Sequence, residues 1–289
     1  MNKYSLIAIL SALFYALGIP ISKLILLEEV NPVVLGGFTY LGAGIGFLLF
    51  NFRNMFKFKN PLTLKELPYT VAMVIFDILA IALLMFGISK TNSYTASLLS
   101  NFEIVSTSLI AFIVFKEKIS KKIWIAIVLI IIASLILTHK TSLTFNFSPG
   151  AILVLFAYLF WGMENNCTKI LSSKNSSEIT IIKGIFSGIG SLLIANLFHF
   201  PIPELHIILF ISFIGCISYG VSVSMYIYSQ NKLGAAKTAG YFSFAPYIAV
   251  ILSIILLKEI PETSFYIALL IMMIAGYLIY KDSIKESHS

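Results

Sequence analysis

Charge is what this sequence has least of: only 11% of its 289 residues are Asp, Glu, Lys or Arg, where a soluble domain carries about 25%. A chain so poor in charge cannot cover a water-facing surface with solvated groups. Cysteine and histidine are scarce as well, at two and four residues. Cys167 and Cys216 fall inside apolar stretches and make no disulfide framework. His139, His199, His206 and His288 fall at loops or ends, which excludes a histidine-rich metal site. No G-x-x-x-x-G-K-[ST] loop, H-E-x-x-H or G-x-S-x-G is present. The chain therefore lacks the usual motifs of an ATP-driven pump, a zinc protease or a serine hydrolase, and no cofactor or metal is expected.

What is present is apolar: 58% of the residues are hydrophobic and the mean hydropathy is +0.95. A bilayer core is roughly 30 Å thick and a helix rises about 1.5 Å per residue, so about 20 apolar residues cross it. Read this way, the chain predicts ten spans, at 4–26, 32–52, 68–89, 94–115, 121–138, 148–172, 178–199, 206–230, 235–257 and 263–281. The short segments between them leave no room for a soluble catalytic module. The first span is not read as a signal peptide, because no small-residue cleavage site follows it and Pro20 and Lys23 lead straight on.

A net charge of +7 would suit a nucleic-acid partner, but the positions of the charges argue for topology instead. With a cytoplasmic N-terminus, Lys3, Arg53, Lys57, Lys59, Lys65, Lys116, Lys118, Lys121, Lys122, Lys169, Lys174, Lys232, Lys237, Lys281 and Lys285 fall on or near the inner side. Lys23, Lys90, Lys140 and Lys258 fall outside, and Lys183 falls within a helix. This excess of inner lysines predicts both termini in the cytoplasm.

An internal repeat divides the chain into 1–140 and 141–289. The stretch TASLLSNFEIVSTSLIAFIVFKE, ending at Glu117, lies over KTAGYFSFAPYIAVILSIILLKE, ending at Glu259. Phe14-Tyr15-Ala16 and Ser22-Lys23 likewise match Phe160-Trp161-Gly162 and Thr168-Lys169, and Gly42 and Gly44 match Gly188 and Gly190. Five spans per half is an odd number, so the second copy enters from the opposite side. The predicted fold is thus an all-α integral membrane protein: ten transmembrane helices forming two inverted five-helix repeats, with both termini cytoplasmic.

LLSNFEIVSTSLIAFIVFKE (98–117), WGMENNCTK (161–169), IKGIFSGIG (182–190) and LGAAKTAGYFSFAPY (233–247) carry a resemblance over essentially the full length. The halves resemble two EamA repeats of the drug/metabolite transporter superfamily. That resemblance implies ten spans, both termini inside and export of amino acids, other metabolites or drugs; the expected location is the cell membrane. The expected partners are a small-molecule substrate, the lipid bilayer and, because buried carboxylates are a ready proton relay, a coupling proton; the chain is expected to be a monomer or weak homodimer with no nucleic acid involved.

Chemistry must come from the few polar groups held in lipid. A charge at the bilayer centre costs at least about 2.5 to 3.5 kcal/mol, so each should face the bundle interior with a partner or water. Glu103 shares one helix face with Ser100 and Thr107. Trp161, Glu164 and Thr168 make a second face, widened by Asn165 and Asn166, and Tyr219, Ser222 and Tyr226 run along span 8. These stripes point to a shared cavity for substrate binding or coupling. The other role open to them is to lock helices together, as Ser, Thr and Tyr often do.

Lys183 lies only about five residues into span 7, so it either snorkels to the interface or bridges to Glu103 or Glu164. Asp77 has only apolar neighbours one turn away, Met73, Val74, Ala80 and Ile81, and reads as a lone proton site or a neutral interface carboxyl. Gly42, Gly46, Gly184 and Gly188 suit close helix crossing, and Pro20 and Pro246 suit kinks or breaks. Lys237, with Tyr241 one turn later at the inner end of span 9, either gates the cytoplasmic mouth or merely satisfies topology. The resulting expectation is a proton-coupled exporter working by alternating access on amino-acid-like or organic-cation solutes. Two alternatives stand beside it: a lipid-type flippase, and an intramembrane enzyme using Asp77 and Glu103.

Overall fold

The structure is a computed structural model that describes residues 3–51, 60–139, 147–171, 173–233, 238 and 241–286. Arg53, Lys57, Lys59, Lys140 and Lys237, on which the topology and gating expectations partly rest, lie outside these residues. Backbone groups in lipid must find partners within the chain, and a helix supplies them within one segment. The described elements are accordingly helical, apart from one isolated bridge between His139 and Phe147.

The first span is α1 (Lys3–Ala16) and α2 (Gly18–Leu27). Then come α3 (Pro32–Asn51), α4 (Leu67–Ser89), α5 (Ser93–Leu99) with α6 (Phe102–Phe115), and α7 (Lys121–Thr138). The second half holds α8 (Pro149–Leu171), α9 (Ser176–Leu197), α10 (Leu205–Gly215) with α11 (Ser222–Leu233), α12 (Ala245–Leu257) and α13 (Thr263–Glu286). Among the described residues, eight segments are long and apolar enough to cross a membrane, and Ala245–Leu257 is a shorter apolar helix. The 23-residue α8 is long enough but carries Glu164, Asn165, Asn166 and Lys169, which remove it from the apolar set. Ile113, Leu193, Leu209, Phe213 and Ile255 are each more than half exposed, as lipid-facing side chains are.

Several spans are discontinuous. Span 1 breaks at Leu17, just ahead of Pro20, which sits in the first turn of α2 where its missing N–H is not needed. Span 4 breaks at Ser100-Asn101 without any proline. The alignment that sets Lys116 on Lys258 also sets Ser100 on Phe242 and Glu103 on Ala245, where Pro246 starts α12. Both halves are therefore interrupted at the same level. A π-helical turn, Cys216–Val221, joins α10 to α11. The repeat also shows in the backbone: Lys116 and Lys258 both end their helices in the left-handed region, at φ 54° and 52°.

The helix packing repeats under exchange of the halves. α4 lies along α8 and α1 along α11, which are equivalent interfaces, while α3–α9, α5–α12 and α7–α13 map onto themselves. An approximate two-fold relation requires this pattern. At the α3–α9 crossing, Gly184 abuts Gly44 so closely that a Cβ on Gly184 would stand 2.5 Å from the Gly44 Cα. A Gly184→Val protein is expected to lose about 1 to 3 kcal/mol through overpacking. The check is a lower melting temperature in detergent; an unchanged one contradicts the close crossing.

Candidate functional site

The tight α3–α9 crossing fixes where Lys183 goes. With Gly184 pressed on α3, the adjacent Lys183 does not snorkel but turns inward to α8 and α4. Its Nζ lies 3.0 Å from Glu164 Oε2 and 3.5 Å from Asp77 Oδ1. Both carboxylates are essentially inaccessible, at 1% and 0% side-chain exposure. The Tyr40 hydroxyl on α3 donates to Asp77 Oδ1 at 2.9 Å, and Trp161 Nε1 lies 3.1 Å from both of those oxygens. Thr168 donates to the second oxygen of Glu164. One ammonium is thus shared by two buried carboxylates, the arrangement that makes burial of such charges tolerable.

Glu103 stands apart from this cluster. It lies in the first turn of α6, immediately beyond the break at Ser100-Asn101. Asn165 Nδ2 donates to its Oε1 at 2.7 Å and lies 3.2 Å from Thr107 Oγ1. Among the described residues, Lys183 makes ion pairs with Asp77 and Glu164 and none with Glu103. Behind Glu103, α6 is held on α8 by Ser106, whose hydroxyl donates to the Tyr158 carbonyl at 2.7 Å. A Cβ on Gly162 would come within 2.3 Å of that hydroxyl oxygen. Asn166 adds bonds to the carbonyls of Gly162 and Thr107, at 2.7 and 3.1 Å.

These groups border a cavity of about 750 Å³. Ser100, Glu103, Trp161, Glu164, Asn165, Thr168, Lys183, Tyr219 and Tyr226 line it. Tyr15 and Phe242 extend the aromatic part of the lining. Tyr15 lies 5.6 Å from Tyr219 and 5.1 Å from Phe242, and Tyr226 lies 5.0 Å from Phe242, between ring centroids. The cavity runs to Lys174 and Ile179 at the α8–α9 connection, the end of the molecule that carries the N-terminus. At that mouth Lys174 pairs with Glu66 at 3.3 Å. Hydrogen bonds from Thr63, then Lys174, hold the Glu66 carboxyl down at about 2.

Not every candidate reaches the wall. Asp77 sits behind Trp161 and Tyr40, and it is no lone group: its partners come from α3, α8 and α9. Thr107 and Asn166 support the cavity from behind, and Tyr241 gives its place to its neighbour Phe242. Ser222 exchanges hydrogen bonds with Ser11, each hydroxyl 2.9 Å from the other's carbonyl, so it packs α11 on α1. Tyr15 and Tyr40 were not singled out in the sequence. A signal for Tyr15 existed, because the repeat aligns it with Trp161. Among the described residues no cluster of His, Cys, Asp and Glu could hold a metal ion.

Comparison with known proteins places this architecture. The model of the EamA-like transporter family matches twice, over residues 2–139 and 148–281. A protein of Methanothermobacter thermautotrophicus described as an uncharacterized transporter is 26% identical over 297 aligned residues, covering 94% of this chain and 84% of that one. A solved crystal structure shares the fold with a TM-score of 0.66 at 13% identity, over 98% of each chain. The chain belongs to the EamA-like transporter family. It is a multi-pass membrane transporter and not an enzyme.

Proposed function

We propose that this chain exports small amphipathic solutes bearing an ammonium group in exchange for protons, by alternating access of the cavity between α3, α6, α8, α9 and α11. All ten segments cross the cell membrane in this reading, and both termini lie in the cytoplasm. The two halves, 1–140 and 141–289, are inverted repeats that rock about the cavity, and the working unit is a monomer or weak homodimer.

The observation that carries this reading is the division of the carboxylates. Lys183 is shared between Asp77 and Glu164, whereas Glu103 borders the cavity with an amide as its hydrogen-bond partner and no ion pair among the described residues. A carboxylate at this depth in the bilayer, with no paired cation, takes either a proton or a cationic ligand, because an uncompensated charge there is costly. One group that holds either but not both couples their movements. The rings of Tyr15, Tyr219, Tyr226 and Phe242 suit the rest of such a solute, since a cation over an aromatic face gains about 0.5 to 2 kcal/mol.

Transport into sealed vesicles containing the purified protein tests this. Primary and quaternary organic ammonium compounds should accumulate under an imposed proton gradient, and a protonophore should abolish the accumulation. Neutral analogues of the same size should be excluded. Movement of labelled phospholipid in vesicles that remain closed to all these solutes contradicts the reading and selects a flippase.

A further inference from the structure

Two lysine–glutamate sets, related by the internal repeat, lie at opposite ends of the molecule in different surroundings. At the end away from the N-terminus, Lys23 on α2 donates from Nζ to the carbonyls of Ile88 and Thr91, at 2.7 and 2.9 Å. Glu259, just past α12, accepts from the backbone N–H groups of Ser93 and Tyr94, at 3.1 and 3.3 Å. The turn from the end of α4 into the start of α5 is thus gripped by an ammonium on the carbonyls of Ile88 and Thr91 and a carboxylate on the amides of Ser93 and Tyr94. Bonds of this kind, with one charged partner, are roughly twice as strong as neutral ones. Ser253 reinforces the grip from α12, its hydroxyl 2.9 Å from that of Ser93 and 3.3 Å from that of Ser97. Among the described residues, none of α2, of α5 or of the α4–α5 connection lines the cavity.

The repeat sets Lys23 on Lys169 and Glu259 on Glu117. Both glutamates follow a lysine in the left-handed conformation, so each leaves its helix in the same way. At their end of the molecule, however, Lys169 and Glu117 form an ion pair with each other. That pair is exposed, with side-chain accessibilities of 57% and 40%. The cavity runs toward this end, reaching Lys174 and Ile179.

In an inverted repeat, the two end states of transport are approximately exchanged by swapping the halves. Interactions that differ between equivalent positions in one state are therefore the ones that change over in the cycle. From this we infer that Lys23 and Glu259 form the latch that closes the face away from the N-terminus, and that Lys169 and Glu117, exposed and paired with each other, are its counterpart at the opposite face. The exposed pair stabilises little and is readily exchanged for other partners. Opening the far face requires Lys23 and Glu259 to release the α4–α5 connection. The inference rests on the transporter reading only for alternating access and assumes nothing about the substrate.

Cysteine labelling tests it without any substrate. Ile104, which lines the cavity, is replaced by Cys after Cys167→Ser and Cys216→Ser, and the protein is placed in sealed vesicles of one orientation. A membrane-impermeant maleimide should label this parent mainly from the N-terminal face. Glu259→Gln and Lys23→Met should each raise labelling from the far face by about ten-fold, as expected for a shifted two-state equilibrium. Glu117→Gln should not raise it. Unchanged far-face labelling in both latch variants, at the parent's melting temperature, overturns the inference. So does failure of Glu259→Gln to fold, since the bonds would then hold the structure itself. Raised far-face labelling in vesicles that transport no ammonium compound would leave the latch standing and remove the substrate reading alone.

Discussion

Glu103→Gln abolishes coupled transport, or strips it of its pH dependence, while the protein still inserts and melts close to the parent temperature. Glutamine preserves size and still offers Asn165 an oxygen to donate to, so the 2.7 Å bond that holds the side chain survives. Only the titratable charge is lost. Had Lys183 been the partner of Glu103, this change would strand a buried ammonium and cost about 3 to 5 kcal/mol. Lys183 instead pairs with Asp77 and Glu164, so a large loss of stability is not expected. For the same reason, adding Lys183→Met should worsen Glu103→Gln and not repair it. The measurement is transport rate against pH together with a melting curve. Full activity with the parent's pH profile removes Glu103 from the mechanism.

Lys183→Met is expected to act in the opposite sense, on stability first. It leaves Asp77 and Glu164 facing each other in the core, with Tyr40, Trp161 and Thr168 as their remaining donors. Removing one partner of a buried ionic set costs about 3 to 5 kcal/mol, because the remaining charge is uncompensated. Asp77→Asn added to Lys183→Met should recover part of this, and Glu164→Gln as a third change most of the rest, since neutral side chains of the same size no longer demand a counter-ion. Thermal unfolding in detergent across the four proteins reads the series. A Lys183→Met protein as stable as the parent means that the ammonium is not what holds the two carboxylates.

Much of this was legible in the sequence, for identifiable reasons. Apolar runs of bilayer length became helices because lipid offers the backbone no other partner, and Glu103, Glu164, Asn165 and Lys183 turned inward because their exposure to lipid costs too much. The repeat was visible because matching Lys-Glu pairs end spans 4 and 9. What stayed hidden depends on contacts between distant segments. Nothing local in Asp77 shows that Tyr40, Trp161 and Lys183 will converge on it. That convergence is set by the Gly44–Gly184 crossing, which chooses the direction of Lys183. The break before Glu103 has no proline to announce it, and only its repeat mate, marked by Pro246, hints at its level. Ser222 looked like a cavity residue because it shares a helical face with Tyr219 and Tyr226. Ser11, on a helix more than two hundred residues earlier, claims it instead.

The central claim is that one carboxylate, Glu103, holds either a proton or the cationic substrate. Proton release on ligand binding tests it most directly. Purified protein in weakly buffered detergent solution, at a pH where the empty site is protonated, is mixed with an organic ammonium compound that raises its melting temperature, and the pH is followed with an indicator dye. About one proton should be released per protein as ligand saturates the site, and none from Glu103→Gln. Saturable binding with no proton release from the parent, or equal release from Glu103→Gln, contradicts the account.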